Sequence, residues 1–214
     1  MKLYDYFRSS AAYRVRIGLH LKGLPYDSIP VHLVRDGGEQ LKSEYRAVNP
    51  SALVPALQDG AAVITQSLAI LEYLDEIHPT APLMPRDALG RARVRALALT
   101  IACDIHPLNN LRVLRYLVKE GGLTDDAKSA WYVHWVQEGF GALEVLLAAS
   151  GDMGRFCHGD TPTIADCMLV PQVFNASRFG IDLTEYPTIV RIDAACQAVP
   201  AFAAAHPSRQ RDAE

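Results

Sequence analysis

Pro79, Pro82 and Pro85 stand close together, and the hydrophobic periodicity of the chain changes across them. Before this stretch, apolar residues recur in turn at every second position and at every third or fourth. After it the alternating pattern almost vanishes and helical spacing dominates. A proline-rich stretch at such a switch reads as a linker. The chain is therefore expected to form two domains, an α/β domain over residues 1–80 and an all-helical domain over 87–208. Its 214 residues are enough for two cores of ordinary size.

In the first domain, Lys2–Phe7 reads as a short buried strand. Ala11–Lys22 reads as a helix with Ala11, Val15, Gly18, Leu19 and Leu21 on its apolar face. Asp27–Leu33 alternates as a second strand, so a right-handed βαβ unit follows. Glu39–Ala47 suggests a short helix. Strands at Val54–Leu57 and Ala62–Thr65 are joined by a turn at Asp59-Gly60. Ser67–His78 is a helix that Ser67 is placed to cap. In the second domain helices are expected over Asp87–Ile105, on to Leu117, over Asp125–Ala149 and from Pro187. Thr163 and Asp166 have capping-box spacing before the apolar run Cys167–Val173. The tail from Pro207 to Glu214 is polar and is expected to fray.

Charge and cysteine usage remove several functional classes. Lys and Arg number 21 against 24 Asp and Glu, a net charge of −3. That balance opposes binding of nucleic acid through a broad basic face. Cys103, Cys157, Cys167 and Cys196 form no CxxC, which excludes a dithiol redox motif, and they lack zinc spacing. Neither a disulfide framework nor a metal site is expected. Met1–Arg8 carries charge where a signal peptide needs an apolar run, and no stretch reaches the ~18 apolar residues of a membrane span. The expected location is the cytoplasm.

Three junctions of the first domain offer chemistry. Ser9-Ser10 lies where a strand passes into a helix, and a helix N-terminus presents free N–H groups and partial positive charge. An anion is stabilised there and a thiol loses its proton more readily. The alternative is a serine that only caps. Gln66-Ser67 offers an amide, a hydroxyl and another helix start, a possible carboxylate cradle or again a simple cap. Val54-Pro55 opens a strand with a proline that is either cis or an ordinary trans edge residue.

These residues in combination resemble the zeta-class glutathione transferases, the maleylacetoacetate and maleylpyruvate isomerases. The resemblance is carried by Tyr6–Ile17 with its Ser9-Ser10 pair, Asn49-Pro50 through Val54-Pro55, Gln66–Leu74, Asp104–Leu111 and Gly159–Asp166. It implies an α/β thioredoxin-like N-terminal domain plus an all-α C-terminal domain, a homodimer, and glutathione as cofactor bound between the domains. By match, Ser9 would bond the glutathione thiolate, with Ser10 beside it. Val54 would pair its backbone with the cysteinyl unit before a cis-proline, and Gln66 and Ser67 would hold the γ-glutamyl end. Gln40, His106, Asn110, Leu111 and Arg112 match further glutathione-site positions. Many relatives carry Cys after the two serines, where this chain has Ala11.

The implied reaction is cis-to-trans isomerisation of a maleyl double bond, in which a thiolate adds to the activated alkene and leaves after rotation. A dicarboxylate substrate needs cations, and Arg8, Arg112 and Arg178 are the candidates. Arg8 joins Ser9 and Ser10 as a catalytic residue. Any one of the three is alternatively a solvated surface residue or part of an ion pair. The Asp36-Gly37-Gly38 loop resembles that of tyrosine-degrading relatives, which favours maleylacetoacetate over maleylpyruvate. Two other readings stay open here: a general glutathione transferase or haloacid dehalogenase, and a non-catalytic interaction module of the same fold.

Overall fold

The computed structural model describes residues 1–214. In chain order the elements are β1 (Lys2–Asp5), α1 (Ser10–Leu21), β2 (Asp27–Pro30), α2 (Ser43–Val48), β3 (Ala56–Asp59), β4 (Ala62–Thr65), α3 (Ser67–Ile77), α4 (Ala88–Leu99), α5 (Leu111–Lys119), α6 (Asp125–Ala148), α7 (Ile164–Arg178), α8 (Pro187–Gln197) and α9 (Pro200–Ala205). They form two compact units, one of residues 1–83 with 197–214 and one of residues 84–196. Residues 197–208 thus pack with the first unit rather than with the helical domain to which their spacing assigns them.

The first unit holds a four-stranded sheet in the order β2-β1-β3-β4. β1 and β2 are parallel, with Leu3 opposite Ser28; β3 is antiparallel to β1 and to β4. Leu3, Val15, Leu19, Leu57, Ile70 and Leu74 form the core between the sheet and helices α1 and α3. Each such side chain contributes roughly 1.5–3 kcal/mol when fully buried. A second cluster, Tyr6, Phe7, Val31, Tyr45 and Val54, lies beside the end of β1.

Both early strands are shorter than their pattern suggests. β1 stops at Asp5 because Ser9 N–H bonds Tyr6 C=O at 2.9 Å and closes a turn. β2 stops at Pro30, after which the His32 imidazole accepts the N–H groups of Val34 and Arg35 and bends the chain. Helix α1 is buried nearly all round, including Arg14 and Arg16, rather than along one apolar face. It packs against α3 on one side and α9 on the other. Gly18 permits the first contact, since a Cβ there would fall 2.3 Å from Leu71 Cδ2. The helix 67–78 is present, but Gln66 takes the cap position at φ 69°, and no side chain caps it.

In the second unit, Asp87 caps α4 by accepting Gly90 N–H at 2.7 Å. The helix then widens into a π turn over Thr100–Ile105, with His106 N–H bonded to Ile101 C=O. Gly139 of α6 lets that turn approach, for a Cβ there would meet Ile105 Cγ1 at 2.2 Å. The buried stripe of α6 is Tyr132, Val136, Phe140, Leu143 and Leu147. Thr163 and Asp166 form the expected capping box on α7, whose Ile164–Val173 run is wholly buried. No helix is long and apolar enough to cross a membrane.

The tail does not fray. Pro207–Arg209 forms a 3-10 turn capped by His206, and the side chains of Asp212 and Glu214 reach groups near the start of the chain. Local polarity predicted fraying; distant hydrogen-bonding partners override it.

Candidate active site

In the first unit the predicted residues cluster at the starts of two helices. Ser9 is the N-cap of α1, and its Oγ accepts Ala12 N–H at 3.2 Å. Ser10 is buried in the first turn. The cap role and a ligand role coexist here: Oγ accepts one N–H and keeps its own O–H and a further lone pair. The α1 N-terminus adds its partial positive charge.

Ser67 opens α3 and is buried. Its Oγ accepts from Arg14 Nη1 at 3.2 Å, so a buried guanidinium of α1 stands at the positive end of α3. Helix start and cation together fit a carboxylate. Gln66, in the left-handed region at φ 69°, is exposed beside it. Arg14 was not among the candidate residues. Its signal was a cation one helical turn beyond Ser10, set between the apolar Tyr13 and Val15.

Val54 precedes a cis peptide bond to Pro55. The carbonyl just before it, Leu53 C=O, accepts from Tyr45 Oη at 2.6 Å and from Asn49 Nδ2 at 2.7 Å. Burial pushes the Tyr45 hydroxyl up to about 12, so it stays a donor at any working pH. Tyr45 and Asn49 therefore fix the approach to Val54. Gln40 is buried in a 3-10 turn, and its Nε2 donates to Leu33 C=O at 3.4 Å.

Arg8 is exposed, and its guanidinium is tethered. Nε and Nη2 donate to Tyr6 Oη at 3.2 and 2.8 Å, and the group lies 5.0 Å from the Phe7 ring centre. Tyr6 is a second residue that sequence reasoning passed over.

In the second unit the Asp104–Leu111 motif begins in the last residues of the π turn, a helix irregularity found often at functional sites. Trp131 Nε1 donates to Leu108 C=O at 2.9 Å, and Asn109 Nδ2 to Tyr132 C=O at 3.2 Å. Asn110 caps α5 by accepting Arg112 N–H at 3.1 Å. His106 and Leu111 are half-buried and Arg112 is exposed. Arg178 ends α7, exposed, with Nη1 3.4 Å from Asn175 Oδ1 and the guanidinium 5.8 Å from the Phe179 ring. Phe179 stacks on Tyr132 at 3.7 Å. Burial raises the Tyr132 hydroxyl to about 12, opposed by the Arg178 charge. Tyr132 thus connects Arg178 with the motif through packing and Asn109.

Known proteins resemble the chain along nearly its whole length. The family model for the glutathione S-transferase N-terminal domain matches residues 8–77, and that for the C-terminal domain matches residues 130–207. A maleylpyruvate isomerase from Ralstonia sp is 52% identical over 212 residues, covering 99% of this chain and 99% of its own. The holo structure of a maleylpyruvate isomerase, a bacterial glutathione S-transferase of the zeta class, superposes with TM-score 0.97 at 52% identity over 100% of both chains. A maleylacetoacetate isomerase from Methylobacterium extorquens AM1, solved with malonate and glutathione, gives TM-score 0.96 at 42% identity, again over 100% of both. The chain belongs to the glutathione transferases, in their zeta class.

Proposed function

We propose that this protein is a glutathione-dependent isomerase that converts maleylacetoacetate, or maleylpyruvate, to the fumaryl isomer. The observation that carries the reading is the pair of helix starts, α1 at Ser9 and α3 at Ser67, bridged by the Arg14–Ser67 hydrogen bond. One suits a thiolate and the other a carboxylate, and glutathione carries both, a thiol on its central cysteinyl unit and a carboxylate on its γ-glutamyl end. A relative of the same fold holds glutathione with malonate, a small dicarboxylate.

Bound glutathione supplies a thiolate that adds reversibly to an activated alkene. The chain's own residues do the rest. Ser9 O–H donates to the sulfur, and the α1 N-terminus favours its charged form. Ser10 supports the first turn. Val54 offers its backbone N–H and C=O, set by the hold of Tyr45 and Asn49 on Leu53. Gln66 and Ser67, backed by Arg14, bind the γ-glutamyl carboxylate. Gln40, His106, Asn110, Leu111 and Arg112 take glutathione-binding roles by their match to relatives. Arg8, Arg112 and Arg178 recognise the substrate carboxylates, a task suited to a planar guanidinium that stays charged. The same match supports a homodimer, and the cytoplasm is the location proposed for it.

The test is retention on immobilised glutathione followed by an ultraviolet assay on maleylacetoacetate and maleylpyruvate. Turnover of either at a rate well above glutathione alone is expected. Retention with turnover only of haloacids or aryl halides would replace the isomerase reading with a general transferase.

A further inference from the structure

The segment between β1 and Ser9 has an uncommon support. β1 ends at Asp5, so Phe7, which is buried, lies outside the sheet ladder. Both of its backbone polar groups are nevertheless bonded, and both to side chains. Its C=O accepts from Arg16 Nη2 at 3.0 Å, and its N–H donates to Asp212 Oδ2 at 3.0 Å. Arg16 also bonds Asp5 at 2.7 Å and Ala205 C=O at 3.0 Å, so it ties this turn to α9.

The tail that brings Asp212 here is anchored on both sides of it. Gln210 Nε2 donates to Ala204 C=O at 3.2 Å and to His206 C=O at 2.9 Å. Glu214 Oε1 accepts from Arg35 Nη2 at 2.7 Å and lies 3.3 Å from His32 Nε2. The His32 ring packs edge-on against Tyr6, whose hydroxyl holds Arg8. Two routes therefore run from the tail to Arg8: through the Phe7 backbone and ring, and through His32 and Tyr6.

We propose that Asp212 is a positioning residue for the Ser9 turn: by accepting the Phe7 N–H it fixes the backbone that presents Arg8 and Ser9. The proposal rests on the reading above that Ser9 serves the thiol and Arg8 the substrate. A buried N–H left without an acceptor is costly, so the turn relaxes towards water when Asp212 is lost. A shift of a donor by a fraction of an ångström weakens thiolate stabilisation without removing the glutathione contacts elsewhere.

The experiment compares full-length Asp212→Ala and Asp212→Asn with wild type. Asparagine keeps an oxygen that accepts the Phe7 N–H; alanine does not. Asp212→Ala is expected to lower kcat about five- to tenfold, with the KM for glutathione within about twofold. The pKa of bound glutathione, read from thiolate absorbance, is expected to rise. Amide exchange in a peptide spanning residues 6–9 is expected to accelerate, and Asp212→Asn to restore all three. Wild-type exchange and thiol pKa in Asp212→Ala would overturn the proposal, as would an asparagine variant no better than alanine. The exchange and thiolate readouts decide it whatever the wild-type isomerase rate, so its failure is distinct from failure of the isomerase reading.

Discussion

In the first unit each central candidate is one bond from a fixed anchor: Ser9 to the α1 backbone, Ser67 to buried Arg14, and Val54 to a carbonyl held by Tyr45 and Asn49. In the second unit Arg112 and Arg178 are exposed on helix ends, and α5 has no buried residue. The helical unit is not loosely built, for α7 is buried through most of its length. Its candidate cations simply lie outside that core. The contrast separates two tasks. Thiol activation needs donors held in place before the reaction, because stabilisation comes from dipoles that need not reorganise. Carboxylate capture needs charge within reach, and an exposed guanidinium provides it.

The largest effect should come from Ser9→Ala. Loss of one preorganised donor to a developing charge lowers kcat by about 10²-fold. Glutathione affinity should fall far less, since the α3 end and the Val54 backbone remain. Thiolate absorbance at fixed pH is expected to drop in parallel with turnover. Turnover equal to wild type would shift the role to Ser10 or to the α1 amides.

A stability counterpart lies in the second unit. Asp166 accepts the N–H groups of Cys157 and Thr163 and the Thr163 hydroxyl while fully buried. Asp166→Ala removes a cap and strands buried donors, a loss of about 3 kcal/mol, read as a lower urea midpoint. Burial raises its carboxyl above the ordinary 3.8, with the hydrogen bonds opposing. A raised folded value means the native state keeps a proton that the unfolded chain releases. The stabilisation owed to that proton is complete below the unfolded value and declines as pH rises through the folded one. The gap between wild type and Asp166→Ala should therefore be widest in acid. A gap that widens with pH would show the hydrogen bonds outweighing burial.

A smaller effect is expected for Arg178→Met: KM for substrate rises about five- to tenfold while kcat stays within about twofold, as for binding shared by ground and transition states. Arg8→Met should change both, since Arg8 is tethered by Tyr6 beside Ser9. A neutral maleyl ester should erase the Arg178 penalty. A kcat loss at Arg178 as large as that at Ser9 would end the distinction between the two units, and a penalty undiminished on the ester would leave Arg178 a structural role.

These differences were only partly readable from the chain. The switch at Pro79–Pro85 and the two periodicities show the architecture, because periodicity is local. Ser9 at a strand-to-helix junction is local too. The anchors are not. Arg14 and Arg16 are buried because α3 and α9 cover both sides of α1, and no single-helix pattern contains that fact. Asp212 meets Phe7 across most of the chain, so its segment reads as a polar end. Asn49 appears only within a motif of the resemblance, although its amide fixes Leu53. The cap of α3 was misassigned to Ser67 because Gln66 adopts a left-handed backbone that its residue type does not advertise.

The smallest effect is predicted at Ala11, where many relatives carry cysteine. Ala11 lies half-buried in the first turn of α1, beside Ser10. A thiol there would share the helix N-terminus that favours thiolate, so Ala11→Cys should contain a reactive sulfur. Isomerisation, however, uses one sulfur, which in the proposed reaction glutathione brings to Ser9. A second thiolate nearby would compete for the same partial charge rather than add to the reaction. Turnover of Ala11→Cys is therefore expected within about twofold of wild type, while its reaction with a thiol reagent becomes rapid. The two measurements separate the cases. A tenfold rise in turnover would mean that the first unit's site lacks a working part, and that its tight anchoring of Ser9 is not sufficient for thiol chemistry. Unchanged turnover with a reactive new thiol would leave Ser9 and the helix start as the groups that activate the cofactor.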